Sequence, residues 1–298
     1  MENFSQRNEE YPAVRPGNLQ RVRMTSRVFL LGLMTLLALL QSRPVFALMP
    51  YLDTETAVPV DRGKSRLDVS MLFDRWKSNL STYDLKAELS YGLINNLDFS
   101  VDVPYLVRKV KGSGDVNGVG DEDGVGDVTL KVKVRFIKGR EANPVSIAGQ
   151  LSVKFPSCNK DKALSPECTG EPDVGLRAIA SKEFFPVTVH VNLGYIFVGN
   201  PPNTDLNDVL TYSIAFDYLT TADNLHVVGE LAGQSNPYPK SSDLASRLSA
   251  DTSADPLSAL IGLLYDLDTN KALTAAWSMG LTQASPDYSL SVGFRYLF

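Results

Sequence analysis

From about residue 67 to the end, apolar and polar residues alternate along the chain with little interruption. Tyr83, Leu85, Ala87, Leu89 and Tyr91 enclose Asp84, Lys86, Glu88 and Ser90; Leu97, Phe99, Val101, Val103 and Tyr105 enclose Asp98, Ser100 and Asp102. The stretches 128–136, 145–155, 187–197 and 210–218 repeat the pattern, and 67–73, 174–183, 225–234, 257–266, 273–282 and 288–298 carry weaker copies with more Gly and Ala. A period of two is that of a β-strand with two unlike faces. The pattern predicts twelve strands and no amphipathic helix of useful length.

Alternation also fits a soluble sandwich, but twelve strands with one continuous apolar face would demand a very large inner core. A closed barrel in lipid needs only an apolar outside. The connections alternate in length: 94–96, 138–144, 185–186, 220–224 and 267–271 are short, whereas 75–81, 107–126, 156–172, 198–208 and 235–255 are longer. Short periplasmic turns opposite long external loops are the layout of an outer-membrane barrel, and an even strand number puts both barrel ends on the short-turn side. Tyr91, Tyr105, Phe136, Phe155, Tyr195, Phe197, Tyr218, Tyr265 and Trp277 lie near strand ends, where interfacial girdles belong. The fold expected is therefore an all-β, antiparallel transmembrane barrel of about 12 strands over 66–298.

The N-terminal region reads as an export signal. The apolar run Val28–Leu40 follows Arg21, Arg23 and Arg27 and precedes Val45-Phe46-Ala47, so cleavage is expected after Ala47. The run is shorter than the roughly 20 residues of a spanning helix. Either Met1 or Met24 can serve as the start. Residues 48–65 then form a periplasmic segment leading into the barrel.

Composition adds little beyond this. Apolar residues make up 44% of the chain and the formal charge is −5. An acidic balance argues against a nucleic-acid partner. A barrel needs only alternate residues apolar, which fits these values.

Phe294, Tyr296 and Phe298 resemble the C-terminal signal that the barrel-assembly machinery recognises in bacterial outer-membrane proteins. Thr54-Glu55-Thr56-Ala57, Tyr91-Gly92-Leu93 with Asn96-Leu97, Val103-Pro104-Tyr105, Gly126-Asp127-Val128, Asn192-Leu193-Gly194-Tyr195 and Gly229-Glu230-Leu231 follow in order. In these stretches the chain resembles the outer-membrane family named for the meta-cleavage pathway of phenol degradation. The resemblance implies an outer-membrane channel or transporter for small solutes, aromatic ones included. It supplies no catalytic residues and no cofactor. Lipids, the assembly machinery and a small solute are the partners expected.

The strand register directs Asp68, Asp84, Lys86, Glu88, Asp98, Asp102, Lys131, Lys133, Arg135, Lys154, Arg177, Asp217, Glu230 and Arg295 into the lumen, with His190 and His226. Acidic residues dominate the second and third strands and basic residues the fourth and fifth, a split that sets a field across a pore. The opposing reading is a salt-bridged interior that closes the lumen; a twelve-stranded barrel lies between filled and open sizes.

Cys158 and Cys168 flank a polar segment near two strand ends, which points to a loop-closing disulfide; two free thiols are the alternative. Asp121, Asp123 and Asp127, in a Gly-rich acidic loop, offer oxygen ligands for Ca²⁺, but no Glu stands at the closing position of a twelve-residue calcium loop, and the expected reading is a flexible, solvated loop without a metal. A lipid hydrolase would need Ser, His and an orienting group. No Ser stands at a telling spacing from either His, so the chain is not expected to be an enzyme.

Overall fold

The computed structural model describes residues 53–76, 80–110, 121–140, 144–158, 168–200, 206–222, 224–239 and 252–298. The export signal, its cleavage point and the two candidate start residues lie outside them.

Among the described residues thirteen strands form: β1 (Ser65–Arg75), β2 (Leu80–Ile94), β3 (Leu97–Val110), β4 (Glu122–Val125), β5 (Val128–Ile137), β6 (Val145–Phe155), β7 (Asp173–Phe184), β8 (Val187–Phe197), β9 (Val209–Leu219), β10 (Leu225–Gln234), β11 (Leu257–Asp266), β12 (Lys271–Gly280) and β13 (Tyr288–Leu297). All but β4 build the wall of a closed antiparallel barrel. Each wall strand pairs with its sequence neighbours, and β1 pairs with both β2 and β13. At the seam the main chains of Ser65 and Phe298 exchange hydrogen bonds of 2.7 and 2.8 Å. Closure leaves no open edge, which a sheet in lipid cannot tolerate.

The two faces invert the arrangement of a soluble protein. In β9, Thr211, Ser213 and Asp217 are buried, whereas Leu210, Tyr212, Ile214, Phe216 and Tyr218 are 38–48% exposed. The same outward apolar face recurs around the wall, at Leu85, Leu89, Leu193, Ile261 and Val292 for example. The nine aromatics near strand ends are all exposed. Such a surface belongs against hydrocarbon, with aromatics at its margins.

Two boundaries differ from the alternation reading. The 107–126 connection is partly strand, because β3 runs on to Val110 and β4 pairs with its outer half. Three steps from Asp102 to Tyr105 face four from Thr129 to Val125, a β-bulge at Gly126–Asp127. The bulge makes β4 an outward continuation of β5. The second difference is β12, which starts at Lys271 and ends at Gly280, so the 281–287 connection takes residues read as strand.

The 48–65 segment departs most from expectation. Its described part does not stay outside the barrel. Thr54, Glu55, Thr56, Ala57 and Val60 are buried, and all of these but Thr56 are bonded to inward-facing wall residues, so the segment lies inside the lumen. Gly92 makes this entry possible. Its N–H donates to Lys64 O at 3.0 Å and its carbonyl accepts from Gly63 N–H at 2.8 Å. A Cβ at Gly92 would collide with the main chain of Val60 and Asp61.

Candidate functional site

The lumen wall from β13 through β1, β2 and β3 to β5 carries a continuous set of paired ions, most of them buried. Asp68 bridges two arginines, with Arg66 Nε and Arg295 Nε each 2.7 Å from one of its oxygens. Arg66 Nη2 lies 3.2 Å from Glu88. Lys131 Nζ reaches Glu88 at 2.7 Å and Asp102 at 3.4 Å, and Lys86 lies 3.7 Å from Asp102. Period-two alternation places these groups inward, and antiparallel pairing sets them side by side.

This corrects the expected field. The acidic strands β2 and β3 and the basic strand β5 do not face each other across the lumen. Consecutive strands of an up-and-down barrel are neighbours, so their charges pair along one wall. Lys154 of β6 is likewise drawn to Asp173 at 2.7 Å and Asp127 at 3.5 Å.

The inserted segment docks on this wall and on β7, β8 and β10. Lys133 donates to Glu55 Oε2 at 2.7 Å, and Lys131 is 3.7 Å from Glu55 Oε1. Arg177 donates to Asp53 Oδ1 at 2.6 Å and to its carbonyl at 3.0 Å. Glu230 Oε1 accepts from the N–H groups of Asp53 and Thr54 and from the Thr54 hydroxyl, at 2.8–2.9 Å. Ser181 Oγ accepts from Ala57 N–H at 2.9 Å, and Asp98 Oδ2 accepts from Val60 N–H at 2.8 Å. Turning the Asn192 amide lets it bond the main chain of Glu55. Ala57 packs with Ala148 and Ile179. The segment thus crosses from Asp98, at the short-turn end, to Arg177 and Glu230 deeper in the barrel.

Beyond the segment a cavity of about 340 Å³ remains. Asp53, Glu55, Lys131 and Arg177 contribute to its lining, as do Asp84, Lys86, Lys154, Gln150 and Thr211. Gly175 and Gly194 line the same space; a Cβ at Gly194 would meet the Thr211 hydroxyl. The volume falls within the roughly 300–1,000 Å³ of small-molecule sites.

Not every residue read as lumen-lining reaches this cavity. Arg135 sits at the short-turn rim and donates to Asn96 Oδ1 and Asn95 O. His190 and His226 lie in the wall below. His190 Nδ1 is 2.8 Å from Ser181 Oγ, and His226 Nδ1 is 2.6 Å from Asp217 with Nε2 3.5 Å from Asp266.

Ser181 is the partner that spacing along the chain did not reveal. It stands opposite His190 across the β7–β8 hairpin. The pair is buried, Ser181 already accepts from Ala57, and the Asp217 carboxylate is hydrogen-bonded to the other histidine. Asp53, Arg66 and Asp266 also belong to the lumen network and carry no motif in the sequence, whereas Thr54 and Glu55 lie in a stretch that bears the family resemblance.

Cys158 and Cys168 form a disulfide, their Cα atoms 5.8 Å apart, packed against Leu106. The three candidate calcium ligands do not converge. Asp121 accepts from Val110 N–H, Asp123 from the outward Tyr105 hydroxyl, and Asp127 from the N–H groups of Ser157 and Cys158. The bulge turns Asp127 to the opposite face from Asp123. At the C-terminus the Tyr296 and Phe298 rings stack at 5.3 Å on the outer surface, and Phe294 lies in the same strand.

Comparison with solved structures shows the same fold. An outer membrane channel from Pseudomonas putida F1 superposes with a TM-score of 0.65 at 16% identity, covering 83% of this chain and 100% of that one. The NanC porin gives 0.53 at 12% identity, covering 77% and 98%. No curated protein matches the sequence. A closed strand barrel with an apolar exterior and charged interior is an outer-membrane protein, which accords with these neighbours. Over residues 52–298 the sequence matches the family described as "Putative MetA-pathway of phenol degradation", and the chain belongs to that family.

Proposed function

We propose that the protein is an outer-membrane channel for small solutes, aromatic compounds among them, whose inner half is restricted by its own residues 53–60. The single observation carrying this reading is that residues 53–60 lie within the lumen, held to the wall by hydrogen bonds and ion pairs of Asp53, Thr54, Glu55, Ala57 and Val60. A cavity remains above that segment. The link to aromatic compounds follows the family's description. The apolar exterior is in contact with membrane lipid, and Phe294, Tyr296 and Phe298 address the chain to the assembly machinery. Catalysis is not part of this reading: the Ser181–His190 pair lies beneath the segment, and the Asp217 carboxylate is hydrogen-bonded to His226.

A sealed structural barrel is the competing reading, and the dense ion pairing of the β1–β5 wall favours it. Liposome swelling against a panel of small solutes separates the two. Swelling that falls with solute size supports the channel; vesicles that hold folded protein and never swell support the sealed barrel.

A further inference from the structure

The cations that hold the inserted segment have the chemistry of a ligand site. Arg177 turns both terminal nitrogens to Asp53, one to a carboxylate oxygen and one to the main-chain carbonyl. Lys133 and Lys131 hold Glu55. Two carboxylates, two residues apart, thus meet three wall cations; Lys131 pairs in addition with Glu88 and Asp102 of the wall, so Arg177 and Lys133 are the cations that lose most when the segment leaves. Both carboxylates belong to the segment and not to the wall. Asp53, Glu55, Lys131 and Arg177 also border the cavity, so a solute resting there meets them directly. The wall acceptors Glu230, Asp98 and Ser181 accept from N–H and hydroxyl groups of the segment.

We propose that Arg177, with Lys131 and Lys133, is the carboxylate-recognition site of this channel, and that its solute is a small aromatic acid whose carboxylate replaces those of Asp53 and Glu55. The inference rests on the channel reading above and narrows its solute. A guanidinium offers a planar donor fork that matches a carboxylate, and such charge-assisted bonds are the strong ones. Leaving a buried cation without a partner is costly. The segment therefore leaves the wall most easily by exchange, when an incoming anion takes over the cations it gives up. A neutral ring of the same size cannot make that exchange.

The test is uptake of labelled benzoate and of benzamide, its neutral counterpart of similar shape, into proteoliposomes holding the full chain. Benzoate is expected to enter roughly five-fold faster or more, a preference of about 1 kcal/mol. Arg177→Gln should bring the ratio of the two rates to about one. If that variant fails to fold, Asp53→Asn serves instead. It frees Arg177 of its resident carboxylate and should raise benzoate uptake more than benzamide uptake. Equal rates in the unaltered protein, or a ratio indifferent to these substitutions, overturn the carboxylate site while leaving the channel intact. Entry of neither solute overturns the channel reading, and this inference with it.

Discussion

Lys133 donates a 2.7 Å hydrogen bond to Glu55, joining the middle of a wall strand to a segment that belongs to no sheet. Both side chains are buried. The contact ties two parts of the chain that are 78 residues apart.

Replacing Glu55 by Gln should therefore loosen the segment. Removing one partner of a buried pair costs about 3–5 kcal/mol, because the other charge is left uncompensated. An Ala57→Cys probe reports on this, since Ala57 is fully covered when the segment is seated. Maleimide labelling of that cysteine should be slow with Glu55 present and at least about ten-fold faster in the Glu55→Gln background. The native cysteines, being bonded to each other, should not react.

Gly92→Val tests the entry point. The side chain collides with the main chain of Val60 and Asp61, neither of which can yield without moving the segment. The barrel should still assemble, as judged by its heat-modifiable migration, while protease gains access near residues 53–60. An intact barrel with a protected segment would refute the steric account.

Asp68→Asn tests the seam between β1 and β13. Asp68 sits between Arg66 and Arg295 and is paired in register with Arg295. Loss of its charge leaves two buried guanidiniums facing each other, and unfolding free energy should fall by about 3–5 kcal/mol. Urea titration followed by tryptophan fluorescence measures it.

The twelve wall strands were legible because an outside in lipid and an inside of ions impose period two on every strand. The pattern blurs in β10–β12 for a physical reason. There part of the inward face is apolar, with Val228, Leu260, Leu264, Ala272 and Ala276 packed together and against Ala215 of β9, so the two faces differ less. The seat of residues 53–60 was not legible. The stretch has no period of its own, and its position depends on Glu230, Ser181 and Asp98 arriving from distant strands. Charge separation along the sequence does not become separation across the pore, because acidic β2 and β3 and basic β5 follow one another around the wall and their ions meet there. Ser181 was within reach of the sequence: it and His190 lie equally far from the Phe185–Pro186 turn, and hairpin symmetry pairs them.

The disulfide predicts a simple chemical result. Alkylation of the folded protein without reductant should add no mass, and after reduction two adducts should appear, on Cys158 and Cys168. Changing both to Ser should lower stability by about 2–3 kcal/mol, the range for a short closed loop.

The most direct test of the account is single-channel conductance in a planar bilayer, comparing the full chain with a variant lacking residues 53–60. The account predicts small or brief openings for the full chain and large, steady ones for the deletion. A folded deletion variant that stays electrically silent would contradict it, since the wall alone would then seal the lumen.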